Sequence, residues 1–226
     1  MSSDITLDTS AARGRILQRI RQKQSRPASL KAQEQAAAKA YLAEHPAGPR
    51  PAVDADRVAH FVRSSERMSS TVERVASLAD VPAACVRYLA AGQLPTTAIA
   101  WPTLKDLPWS AAGLQVEFRA PVDADLVGIT GCFCAIAETG TLMMLSGPDT
   151  FASASLLPET HIAVVAASRI VDGMEDGFEL LRRERGQPPR AINFISGPSR
   201  TGDIEQTIVL GAHGPYRVHL IIVDGA

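Results

Sequence analysis

Val218-His219-Leu220-Ile221-Ile222-Val223, close to the end of the chain, is the stretch whose reading decides the fold. It has the length of a strand and is apolar at five of six positions. A strand with one wet face alternates apolar and polar residues. A strand covered on both faces does not need to, and such strands belong mainly to parallel sheets. Ala191 to Ile195 is a second run of this kind and is expected to be buried on both faces. Upstream, Asp172 to Arg185 reads as a helix, and His161 to Ala166, Cys134 to Leu145 and Ala124 to Thr130 read as strands. Leu114 to Arg119 and Thr97 to Trp101 are two more. Asp80 to Ala91 is expected to be helical, with Pro82 tolerated in its first turn and Gly92 past its end. Thr71 to Val75 alternates like a short strand, and Asp54 to Arg67 is expected as a helix with Val58, Phe61 and Val62 facing inward. Strands alternating with helices, then a strand-rich middle, then alternation again imply an α/β fold. Its sheet is mainly parallel and flanked by helices, with a hairpin or small antiparallel insertion.

The first fifty residues differ in character. Ser10 can cap a helix in which Ile16, Leu17 and Ile20 form a stripe among Arg13, Arg15, Arg19, Arg21 and Lys23. This is either a basic helix that docks on an acidic or membrane surface, or a solvated arm. Leu30 to Glu44 is helical by propensity, and the three prolines between His45 and Pro51 mark a boundary. Two parts are therefore expected: a helical arm with a proline-rich linker over 1–50, and one α/β domain over 51–226.

The chain has 226 residues, 46% of them apolar, and a net charge of −1, so the overall charge offers nothing to nucleic acid. No apolar run reaches the ~20 residues of a membrane helix, and Met1-Ser2-Ser3-Asp4 opens no secretory signal. Three cysteines, Cys85, Cys132 and Cys134, fit a reducing compartment better than a disulfide framework. The expected location is cytoplasmic. Cys132-x-Cys134 is a weak metal motif: an iron–sulfur cluster takes about four thiolates, and alternate strand residues read as two partly buried thiols. No metal is expected.

In a mainly parallel sheet, ligands bind beyond the carboxyl ends of strands, so the polar residues that follow strands are the candidates. Glu138-Thr139-Gly140-Thr141 offers a carboxylate, two hydroxyls and a flexible backbone. Glu138 is a candidate base, nucleophile or cation partner, or a residue of a tight hairpin turn. Ser196-Gly197-Pro198-Ser199-Arg200-Thr201-Gly202-Asp203-Ile204-Glu205 is the strongest candidate anion site. Arg200 would hold a carboxylate or phosphate as a fork, Ser196, Ser199 and Thr201 would add hydroxyls, and Asp203 and Glu205 would orient the arginine. The alternative there is a capped helix start with a surface arginine. Gly211-Ala212-His213-Gly214-Pro215 leaves His213 free to act as acid–base group or orienting donor. His161 opens a strand and Arg169 closes it, both in supporting roles; a structural histidine is the competing reading at 161 and 213 alike.

These same residues carry a family resemblance. Ile136-Ala137-Glu138-Thr139-Gly140-Thr141, Leu157-Pro158-x-x-His161, Ala167-Ser168-Arg169-Ile170-Val171, Ser196 to Glu205, and Gly211-x-His213-Gly214-Pro215 resemble, in order and spacing, the LUD domain of the lactate utilization protein C family. The resemblance covers about residues 54 to 224. It implies a fold like the NagB/RpiA/CoA-transferase group and a role in oxidising L-lactate to pyruvate, as a subunit of an L-lactate dehydrogenase complex. It also implies no cofactor in this chain and iron–sulfur clusters on two partner subunits (LutA- and LutB-like). On this expectation Arg200 and the hydroxyls hold the lactate carboxylate, and Glu138 or His213 accepts the hydroxyl proton. Two other functions are open: a stand-alone CoA-transferase-like enzyme or small-carboxylate- or phosphate-binding protein, and a structural or regulatory subunit. Homo-oligomerisation is open as well.

Overall fold

The structure is a computed structural model that describes residues 9–24, 28–46, 48–202 and 209–226, without the side chains of 28–30. They fall into two units, residues 1–49 and 50–226. The first holds α1 (Ser10–Gln24) and α2 (Ala28–Glu44). Helix α1 begins at Ser10 itself, the carbonyl of Thr9 accepting from Arg13 N at 3.0 Å, and it buries none of its side chains. No helix among the described residues is long and apolar enough to cross a membrane.

The second unit opens with α3 (Arg57–Arg67), started by Asp56, whose carboxylate accepts from Ala59 N at 2.9 Å. Phe61 is fully buried, and Val58 and Val62 pack beside it, as the 3.6-residue period requires. Then come β1 (Thr71–Val75), α4 (Val81–Ala91), β2 (Thr97–Ala100), β3 (Gln115–Glu117) and β4 (Val127–Thr130). The hairpin β5 (Cys134–Ile136) and β6 (Thr141–Leu145) follows, then β7 (Thr160–Ala166), β8 (Ile170–Val171), α5 (Met174–Arg185), β9 (Ile192–Ile195), the ribbon β10 (Arg200–Thr201) and β11 (Val209–Leu210), and β12 (Arg217–Val223).

Six strands form one parallel sheet in the order β1-β12-β7-β4-β2-β3. The apolar run Val218 to Val223 lies inside it as part of β12, paired with β1 on one side and β7 on the other. Its side chains alternate between two cores. Leu220 and Ile222 join one with Phe61, Ala135 and Leu142, whereas Ile221 and Val223 join the other with Val81, Cys85 and Leu89 of α4. One face is thus covered by α4, and the other by α3 and a second sheet.

That second sheet, β8-β5-β6-β9, is the expected antiparallel insertion grown to four strands. Its outer face packs on α5 through Cys134, Met143, Leu180 and Leu181. Two expectations are corrected here. Cys134 to Leu145 is not one strand but a hairpin turning at Glu138 to Gly140. Ala191 to Ile195 is not buried on both faces: β9 is the edge of the second sheet, and Phe194 is 38% exposed against Phe178.

Candidate functional site

The residues singled out in the sequence separate into three places. The first is a joint at the C-terminal end of α3. The hydroxyls of Thr139 and Thr141 lie 2.7 Å apart, and Thr141 and Ser196 lie 2.5 Å apart, so the three bond one another in a chain. The turn at Gly140 (φ +66°) and the loop at Gly197 (φ +77°) both press on α3. A Cβ at Gly140 would stand 2.4 Å from Ser65 N, and one at Gly197 would stand 2.1 Å from Met68 O. Arg200, exposed, donates to the Ser69 hydroxyl. These loops leave the second sheet, not the parallel one, so they meet the end of α3 that leads into β1. They do not stand beyond the carboxyl ends of the parallel strands.

Glu138 belongs to the same turn but faces elsewhere. Its backbone N–H donates to the carbonyl of Asp172 at 3.0 Å, and its carboxylate lies against Gly173 at the start of α5, on the side of Arg50. Arg50 donates to Asp176 at 2.6 Å. His213 is exposed in a third place, a shallow depression of about 560 Å³ lined by Leu156, Glu159, Tyr216 and Arg217. Ser199 reaches the neighbourhood of His213 through its N–H to the carbonyl of Pro215 at 2.9 Å. Thr201 pairs with Val209 in the ribbon, while Asp203 and Glu205 lie outside the described residues. The two proton acceptors and the arginine expected to share one ligand are therefore not gathered around one cavity.

His161 is fully buried in β7, its Nε2 2.8 Å from the hydroxyl of Thr130. Burial in an apolar strand disfavours the imidazolium and lowers its pKa to about 4, so the ring is neutral near pH 7. It is a core residue with no access to a substrate.

Arg169 leads to a different region, the carboxyl ends of the parallel strands. Strands β2 and β4 are neighbours, but the chain leaves β2 toward β3 on one side and leaves β4 toward β7 on the other. This is a topological switch point, where a parallel sheet opens a crevice. A cleft of about 720 Å³ lies there, lined by Trp101 after β2, Gly131 and Cys132 after β4, Arg169 after β7, and Glu184 and Arg185 of α5. That volume is in the range of small-molecule sites. Arg169 donates from Nε to the carbonyl of Phe133 at 2.8 Å, and its Cζ lies over the Phe133 ring, 4.7 Å from the ring centre. Its two terminal nitrogens grip Glu184 at 2.6 and 3.0 Å. That bond holds the Glu184 carboxyl below the usual carboxylate range and raises the pKa of Arg169. The Arg185 side chain makes no hydrogen bond or ion pair among the described residues.

Of this cleft, Arg169 alone stands among the ligand-site candidates legible in the sequence, with Cys132 in a weak metal motif. Trp101 ends an expected strand, and Gly131-Cys132 and Ser168-Arg169 each follow one, so the signal was present one residue at a time. Which strands are neighbours was not.

The thiols serve packing. Cys85 lies in the α4 core, Cys134 in the α5 core with its sulfur 3.6 Å from that of Met143, and Cys132 is packed against the core between the sheets. The alternate-residue expectation of one shared strand face is corrected, because Cys132 precedes β5 and turns into another core. Burial pushes the Cys132 thiol up to about 12 and the Cys134 thiol to about 11. Among the described residues no group of three or more His, Cys, Asp or Glu is placed to hold a metal ion.

Comparison with known proteins agrees with this architecture. The family model described as the LUD domain matches residues 58–223. The chain is 34% identical over 129 residues to lactate utilization protein C of Bacillus licheniformis, covering 55% of this chain and 53% of that protein. It is 41% identical over 119 residues to lactate utilization protein C of Bacillus subtilis, covering 51% and 49%. The chain thus spans about half the length of the curated relatives it matches. Among solved structures, a DUF162 family protein from Deinococcus radiodurans aligns with a TM-score of 0.57 at 24% identity, over 77% of this chain and 100% of that one, a likeness of fold. Because the match runs from α3 to the last residue of β12, through both sheets and α5, the chain belongs to the LUD-domain family.

Proposed function

We propose that this chain serves in the oxidation of L-lactate to pyruvate, as a subunit that carries no iron–sulfur cluster and acts beside partners that do. The observation that carries the reading is the match to relatives named lactate utilization protein C, within a domain matched from residue 58 to residue 223. The distribution of thiols supports the division of labour. A cluster needs about four converging thiolates, and the three cysteines here lie in three packing environments with their thiols held protonated by burial. Electrons removed from the hydroxyl carbon of lactate then pass to a partner, and the share of this chain is to bind and position.

The test is reconstitution. Iron–sulfur subunits of a lactate utilization system are purified with and without this chain, and reduction of an artificial electron acceptor by L-lactate is followed. Turnover that depends on the chain is the expected result. Full turnover by the partners alone overturns the reading, and so does lactate oxidation by this chain alone, which would make it a stand-alone enzyme.

A further inference from the structure

We propose that the cleft at the switch point is a carboxylate-binding site whose recognition residue is Arg169, and that Glu184 occupies it as an internal stand-in that a ligand carboxylate displaces. The choice of lactate and pyruvate as probes rests on the function proposed above; the geometry does not.

Two contacts hold Arg169 in place. Its Nε donates to the Phe133 carbonyl, and its Cζ lies over the Phe133 ring. Both contacts are independent of Glu184. They fix the guanidinium so that its two terminal nitrogens form a fork at the cleft wall, the arrangement that takes a carboxylate through two parallel hydrogen bonds. The fork is already made, so a ligand would not have to order it.

Glu184 is a poor permanent tenant. It stands in the last turn of α5, among Arg182, Arg183 and Arg185. That end of a helix presents unpaired carbonyls and disfavours an acidic side chain. The Glu184 side chain is 34% exposed and that of Arg169 is 30% exposed, so solvent screens the pair and a free carboxylate can compete for the same fork. When Glu184 leaves, it meets water and three neighbouring arginines, while Arg185, unpaired on the cleft wall, adds a second positive charge for the ligand. The rest of the lining includes Trp101, Phe133 and Leu145, so a carboxylate with a short carbon body meets apolar surface behind the fork.

The experiment is calorimetric titration of the isolated full chain with L-lactate, pyruvate and the neutral amide lactamide. Glu184→Ala is expected to tighten both acids about tenfold or more, the scale of freeing a charged hydrogen-bonding group, and to leave lactamide unchanged. Adding Arg169→Lys to Glu184→Ala should remove that gain, with thermal unfolding recorded to show that the fold is kept. Glu179→Ala is the control: it deletes one negative charge from the same helix, at a residue paired with Arg182 and outside the cleft lining. Acids bound no tighter by Glu184→Ala overturn the proposal. An equal gain for lactamide or from Glu179→Ala overturns it as well. The readout needs no partner protein, so a failed reconstitution and a failed titration point to different errors.

Discussion

Two histidines, His161 and His219, sit in the parallel sheet as neutral rings. His161 bonds Thr130, and His219 bonds the Thr71 hydroxyl at 2.8 Å and stacks on Tyr88 with ring centres 4.0 Å apart. Burial lowers both to about 4 from the ordinary 6.5. Their protonation therefore differs between states. Above pH 6.5 the ring is neutral whether the chain is folded or not, and stability is complete. As pH falls from 6.5 toward 4, the unfolded chain takes up protons that the folded chain refuses, and stability is lost. Each ring accounts for a loss on the order of 3 kcal/mol across that window. Urea unfolding at pH 7.5 and pH 5 is expected to show this fall, and His161→Gln should flatten the slope by one histidine's share. An unchanged slope would mean that the acid loss comes from other groups. At this scale the sequence was legible in part. His161 stood out because it opens a strand after Leu157-Pro158, but its burial depends on having β4 and β12 as neighbours, and no local pattern encodes that. The burial of His219, the one polar residue of an apolar run, is hidden from local pattern for the same reason.

At the scale of elements, the hydroxyl-rich loops join the second sheet to the first layer of helix. Gly197 has φ +77° and would place a Cβ 2.1 Å from the Met68 carbonyl, backbone that cannot swing aside. Gly197→Ala is expected to destabilise the domain by about 2 kcal/mol or more, through left-handed strain and the clash together. Gly202→Ala, four residues after Pro198, meets nothing within 4 Å and is expected to be neutral. Chemical denaturation of the two variants checks the contrast; equal midpoints would show that the loop gives way and that the joint is soft. The sequence marked these loops as an anion site because each follows a strand. The placement differs at one step: β6 and β9 belong to the second sheet, and the run from Ala191 to Ile195, apolar apart from Asn193, carries no local mark of an edge strand. Element types were readable from period and punctuation. Sheet membership was not, because it is set by pairings between distant segments, such as β9 with β6 at Ile195 and Leu142.

For the whole molecule, the three apolar cores show which residues hold the domain together. Among the described residues none includes one before Val53: α3, α4, α5, the two sheets and the loops between them, with Trp101, Trp109 and Leu114, supply their members. The proline-rich boundary read from the sequence lies beside this division, but where the domain must start depends on Arg50, the first residue of the second unit. Its guanidinium meets Asp176 at 2.6 Å and Glu175 at 3.6 Å, tying the start of the domain to the first turn of α5, and Val53 packs against the central core. A chain starting at Arg50 is therefore expected to melt within about 3 °C of the full chain, since it loses no member of any core. A chain starting at Asp54 gives up both the Arg50 ion pairs and the Val53 packing, and should melt measurably lower. Differential scanning calorimetry on the three chains decides it. If the chain from Arg50 falls as far as the chain from Asp54, then α1 or α2 carries stability that the cores do not account for. If neither falls, the tie at Arg50 is not part of what holds α5 and the second sheet in place.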